Sequence, residues 1–141
     1  ASGFLVLAGI CVSSRIAAAV ALFGSLLGAG VAVATGVPPH LVEAGLYGYN
    51  ASLSVTALFT FYCPSRGTTV LAVVAGVMTV VAQQALSTLL QPFGLPVLTL
   101  PFCVIALPFI ILQGTTSIVV AIPLPQLTVP EDHVRRVRAL E

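Results

Sequence analysis

With 141 residues, 58% of them hydrophobic and only 6% charged, a net charge of +1 and a mean hydropathy of +1.13, the chain cannot be an ordinary soluble domain. Such domains carry about a quarter charged residues, so the composition describes an all-α membrane protein with several crossings, or a piece of one. There is no lysine and no basic stripe with interleaved aromatics, which excludes a nucleic-acid partner.

Charged and turn residues divide the apolar sequence into five pieces. Gly3 to Ser14 comes first and stops at Arg15. Its twelve residues would give about 18 Å of helix, too short to span about 30 Å of hydrocarbon, so it is a half-helix or the chain begins inside a longer one. The second alternative is preferred. The chain opens on Ala1 without Met or a basic leader, so a fragment, or a missing N-terminus, is expected. Ile16 to Gly36 is the second piece, long enough to cross. Its Gly24 and Gly28 form a small-xxx-small pair suited to close helix packing. A loop, Val37 to Glu43, follows and is marked by Pro38 and Pro39.

Leu46 to Tyr62 is the third piece, closed by Cys63-Pro64-Ser65-Arg66-Gly67, and Thr68 to Gln91 is the fourth. Gln83 and Gln84 interrupt the valines of the fourth; a buried Gln bonds across helices, or else contacts a solute. Thr99 to Ile122 is the fifth, and residues 1–122 make the transmembrane unit, with 123–141 a cytoplasmic tail. In the tail, Thr128-Val129-Pro130-Glu131 reads as a capping box with Thr128 as N-cap. Val134, Val137 and Leu140 then share a face opposite Arg135 and Arg138, which suits either an interfacial helix on anionic lipid or a solvated tail.

Five crossings put Arg15, Arg66 and the tail's Arg135, Arg136 and Arg138 on one side, with Glu43 and Gly94 on the other. That is the positive-inside pattern, with the N-terminal end outside and the C-terminus in the cytoplasm. Cys11, Cys63 and Cys103 are scattered and odd in number, which fits no disulfide framework or metal site and reads as small buried side chains. His40 and His133 have no partner at metal spacing, and nothing resembles a nucleophile with its base or a phosphate loop. No enzyme activity, cofactor or metal is implied.

The unusual stretch is Gly94-Leu95-Pro96-Val97-Leu98-Thr99-Leu100-Pro101-Phe102. Pro101 has no N–H to give the Val97 carbonyl, and Pro96 breaks the run on its own side. A broken or re-entrant segment within a membrane is tolerated where its free polar groups line a cavity. The Val97 and Leu98 carbonyls and the Thr99 hydroxyl therefore form a candidate row of acceptors. The second such stretch, Gly45-Leu46-Tyr47-Gly48-Tyr49-Asn50, opens the third piece and by itself could be an aromatic belt.

Together these two stretches resemble the urea transporter family: its Gly-Leu-aromatic-Gly-aromatic-Asn segment in residues 45–50, and its Leu-Pro-x-x-Thr-x-Pro-Phe segment in residues 95–102. Ser2-Gly3, Ile122-Pro123-Leu124 and Thr128 to Glu131 also match in kind. The resemblance implies a passive, channel-like conductor of urea in the plasma membrane, built from two inverted five-span repeats, with three subunits in a homotrimer and one pore in each. This chain would be one repeat, in its tail more like the C-terminal one. By resemblance Tyr49 is the aromatic of a slot for the flat solute and Leu53, one turn on, its aliphatic neighbour. The family often has Phe where Tyr49 stands, so the hydroxyl alters the slot's polarity. The partner repeat and the re-entrant half-helix before Ser2 are absent, so a longer protein or an antiparallel pair of chains is needed to complete a pore.

Urea suits the acceptors on its own terms, with four N–H donors and one carbonyl that are costly to dehydrate. No carboxylate, His or Lys lies at these depths, so no proton relay or ion coupling is implied. Glu43 is solvated at the outer mouth, or attracts donors into it. The alternatives are a channel for another small neutral solute (ammonia, an amide or water) and a non-conducting membrane assembly module.

Overall fold

The structure, a computed structural model, describes residues 2–111 and 119–138, and it is helical throughout most of them. Serines set where the two long helices start. Ser14, extended at φ −154°, ends α1 (Ser2–Ser13) and caps α2 (Arg15–Ala34), its hydroxyl accepting the Ala17 N–H at 2.9 Å. Ser65 does the same for α5 (Arg66–Leu90), accepting the Thr68 N–H at 3.1 Å. Both are long and apolar enough to cross a membrane. Between them lie a short α3 (Pro39–Glu43), where the sequence suggests only a loop, and α4 (Leu46–Phe61), which starts from Gly45 at φ +81°. A helical turn, Gln91–Phe93, follows α5, and then α6 (Leu100–Ile111) and α7 (Pro130–Arg138).

The chain winds α2, α4 and α5 antiparallel to one another in sequence. A Cβ on Gly28 would lie 2.6 Å from the Ala51 Cβ and from the Tyr47 carbonyl, and one on Gly24 would lie 2.8 Å from the Ser52 Cα. The small pair thus seats α2 against the backbone of α4, as its spacing suggests. On the other side of α4, Asn50 meets Gln83 and Ser54 meets Thr79, so α5 runs back along it. Val55, Leu58, Ala72 and Ala75 fill the apolar core between them. The early and late residues of α1 border grooves with Ser25 and with Ala18 respectively, which makes α1 and α2 a hairpin.

This order sets the amino ends of α2 and α5, with Arg15 and Arg66, at one end of the bundle. The tail joins the same end, because Glu131 bonds to Ser14 and the Cys63 N–H donates to the Val120 carbonyl. Glu43 and the end of α5 lie at the opposite end, so the charge asymmetry read in the sequence is present in the fold. Each of α1 and α6 has one exposed apolar side, with Phe4 at 76% and Ile111 at 75%, while Ile105 and Phe109 of α6 pack on the core.

Four local expectations change. The fifth piece is helical from Leu100 to Ile111 among the described residues, and it does not continue as helix to Ile122. Residues 119–122 instead run extended beside the end of α4, with Tyr62 bridged to Ala121 and the Ile122 N–H donating to the Phe61 carbonyl. The backbone groups left free where α4 stops at Phe61 find partners there. In the tail, Glu131 does not close a box with Thr128. Its carboxylate takes the Ser14 hydroxyl at 2.6 Å and the Ile16 N–H at 2.9 Å, at the positive end of α2. The Thr128 N–H donates to the Nε2 of His133, a buried residue to which spacing assigned nothing. Cys11 is exposed on α1, unlike the buried Cys63. The α7 face expected from Val137 and Leu140 lies outside the described side chains.

Candidate functional site

The third piece's sequence puts Asn50 and Ser54 one turn apart on α4, and the fourth puts Thr79 and Gln83 one turn apart on α5. All four are buried. The Thr79 hydroxyl donates to the Ala75 carbonyl at 2.7 Å, so at 2.7 Å from it the Ser54 hydroxyl must be the donor. One turn away, the Asn50 amide Nδ2 lies 2.8 Å from the Gln83 Oε1.

The same amide receives the interrupted segment. After the turn Gln91–Phe93, Gly94 reverses the chain at φ +63°, and the two prolines prevent α5 from running on into α6. Leu98 then stands at φ +47°, the one non-glycine with positive φ among the described residues. That conformation costs a leucine about 1–2 kcal/mol. Its carbonyl accepts from Asn50 Nδ2 at 2.8 Å. Thr99 follows and starts α6, its carbonyl accepting the Cys103 N–H at 3.1 Å with Pro101 in the first turn.

The depth of this junction follows from α2. A Cβ on Gly48 would meet the Ser25 hydroxyl at 2.9 Å, and the Ser52 hydroxyl donates to the Ala21 carbonyl at 2.9 Å. Asn50, between them, is level with about the middle of α2, roughly 12 Å from Arg15 and 16 Å from Ala34 at 1.5 Å per residue. The break therefore dips halfway down the span.

The acceptor row is partly occupied. The Val97 carbonyl, which Pro101 cannot serve, takes the Leu100 N–H at 3.1 Å instead. The Leu98 carbonyl has Asn50. Each carbonyl keeps a second lone pair. The Thr99 hydroxyl is half-buried and makes no hydrogen bond among the described residues. Asn50 itself is overcommitted: two amide hydrogens face three acceptors, Gln83, Leu98 and, at 3.1 Å, the Leu46 carbonyl, while its Oδ1 is buried with no partner. Leaving such an acceptor unmet costs about 1–3 kcal/mol.

Tyr49 and Leu53 occupy a neighbouring face of α4. Tyr49 is 51% exposed and borders a groove of about 600 Å³ with Phe4, Leu7, Leu22 and Ser25, while Leu53 is half-buried. Among the described residues no hydrogen bond joins this pair to residues 97–99. The structure thus brings the Leu98 carbonyl onto α4 at Asn50 and turns Tyr49 instead toward the groove with α1 and α2. At the end of the bundle that carries α3, Thr35, Leu41, Tyr47, Gln84, Thr88 and Gln91 border an open cavity of about 450 Å³ whose lining carries no charged side chain. There the Gln84 amide donates to the Thr35 hydroxyl at 2.6 Å, so both glutamines of α5 bond to other helices.

Among the described residues, the buried polar side chains along α4 and α5 are hydroxyls and amides, which can exchange hydrogen bonds with a neutral solute but cannot neutralise an ion. Sequence reading quoted Asn50 within its motif and assigned it nothing. The signal was available: polar residues four apart on α4, at 50 and 54, opposite polar residues four apart on α5, at 79 and 83.

A family model described as urea transporter matches residues 1–114. Among curated proteins, urea transporter 1 of Ovis aries and that of Capra hircus are each 30% identical over 133 residues, covering 94% of this chain and 35% of theirs. Urea transporter 1 of Rattus norvegicus is 28% identical over the same length. The chain spans about a third of the length of the curated relatives it matches.

Proposed function

The chain belongs to the urea transporter family, and we propose on that premise that it forms one wall of a passive, channel-like path for urea across the plasma membrane. The observation that carries the reading is the junction halfway down α2, where the Leu98 carbonyl meets the Asn50 side chain next to Thr99, whose hydroxyl makes no hydrogen bond among the described residues. A flat solute rich in N–H donors meets there the Thr99 oxygen and the spare lone pairs of Val97 and Leu98 in place of water. Tyr49 and Leu53, on the open side of α4, contact its faces. The uncharged cavity at the α3 end of the bundle serves as the mouth. The solute moves down its gradient, with no coupled ion and no chemical step.

One wall does not enclose a path. A second repeat, inverted and supplied by the rest of a longer protein or by a second chain, covers Tyr49 and the exposed side of Leu98, and three such subunits assemble as a homotrimer in the bilayer. Residues 1–122 form the membrane unit and 123–141 the cytoplasmic tail, on the side of Arg15 and Arg66. The test is stopped-flow shrinkage of vesicles holding the intact protein in a urea gradient. Urea flux well above that of empty vesicles is expected. Flux equal to that of empty vesicles, with water or ammonia flux raised, would replace the urea reading with another neutral solute.

A further inference from the structure

The interruption holds a strained residue, and one side chain serves it at its own expense. Leu98 keeps φ +47°, a conformation that glycine adopts freely and leucine does not. Asn50, fully buried at 0% exposure, directs Nδ2 to the Leu98 carbonyl at 2.8 Å. An asparagine placed only to join α4 to α5 would pair both ways with Gln83, whose side chain also has a carbonyl and an amide. Here only one of those two bonds forms, Nδ2 to Oε1, and the Asn50 Oδ1 stays buried and unmet. The amide is turned to suit Leu98 and the ends of its neighbours, not to satisfy itself.

We infer that Asn50 is a positioning residue for the solute path: its Nδ2 pins the Leu98 carbonyl, holds Leu98 left-handed, and so presents the Thr99 hydroxyl at mid-span. The inference depends on the transport reading for what Thr99 meets, and on the Asn50–Leu98 bond alone for what holds the break. Asn50 acts through Leu98 and touches no solute. Gln83 buttresses the same amide from α5, and the Leu46 carbonyl from the preceding turn. Leu98 is the place to test it, because a glycine there needs no bond to stay left-handed.

The experiment is a double-mutant cycle in the intact protein: wild type, Asn50→Ala, Leu98→Gly and the double variant, each measured for urea flux per folded protein and for melting temperature. Asn50→Ala is expected to slow flux roughly tenfold in the wild-type background, but by less than about threefold when Leu98 is already glycine. The melting temperature should show the same relief. An equal loss in both backgrounds would overturn the inference, because Asn50 would then serve only the α4–α5 contact through Gln83. If Asn50→Ala alone gives no folded protein, the yield of the folded double variant is the readout: recovery supports the inference and no recovery overturns it. Wild-type vesicles that pass no urea would defeat the transport reading instead. The melting temperatures of the four proteins would then decide the Asn50–Leu98 coupling by the same criterion.

Discussion

The Glu131 carboxylate accepts a hydrogen bond from the Ser14 hydroxyl at 2.6 Å, across 117 positions of sequence. Burial pushes this carboxyl up, but the bonds from the Ile16 N–H, the Ser14 hydroxyl and the Arg15 backbone outweigh it and hold it below its ordinary value of 4.5. The tail helix is in this way tied to the turn between α1 and α2 by the end of a dipole. A carboxylate with a depressed folded-state value contributes its stabilisation above the ordinary value and loses it as pH falls through the lower one. Docking of α7 should therefore be full above about pH 4.5 and weaken below it. Arg15, Asp132 and Arg135 border the same pocket. Glu131→Gln should speed proteolysis between residues 123 and 130 at neutral pH and remove the acid-side change. Unaltered cleavage would mean the contact does not hold the tail.

Close approach of α2 and α4 rests on Gly28, where a Cβ would sit 2.6 Å from two atoms of α4. Gly28→Ala should lower stability by about 1–3 kcal/mol, the usual effect of overpacking. Gly30, with nothing within 4 Å of its Cβ position, serves as the comparison, and Gly30→Ala should be neutral or slightly stabilising. Thermal unfolding in detergent separates the two.

Two hydroxyls of α4 should respond in opposite directions. Thr56 is half-buried, with its Oγ1 buried and unpartnered among the described residues, so Thr56→Val, which keeps the shape, should be neutral or stabilising by about 1 kcal/mol. Ser54 donates to Thr79, and Ser54→Ala should cost about 1 kcal/mol. Equal melting shifts for both would show that the α4–α5 polar pairs add nothing.

The spans were legible because long apolar runs and their punctuation act locally: Ser14 and Ser65 cap, Gly24 and Gly28 admit a neighbour, and Pro96 with Pro101 stops a helix wherever it stands. Partners far along the chain were not. Asn50 is 48 positions from Leu98, and no local pattern tells an amide which of several carbonyls it will meet. Glu131 had a local solution in Thr128 and took a distant one, since the N-terminus of α2 offers both a free N–H and a hydroxyl. Val119, Val120 and Ile122 are as apolar in a helix as in an extended strand, and the open backbone after Phe61 decided between them. Tyr49 and Leu53 were placed by motif, and the structure leaves Tyr49 51% exposed and Leu53 half-buried.

The central claim is that an oxygen left open at a proline break halfway through the span meets the solute. Thr99→Val keeps the side-chain shape and removes the hydroxyl, so stopped-flow urea flux through the intact protein measures it directly. Loss of one hydrogen bond should slow urea roughly two- to tenfold, with melting temperature unchanged. Urea flux equal to wild type in a folded Thr99→Val protein would contradict the account.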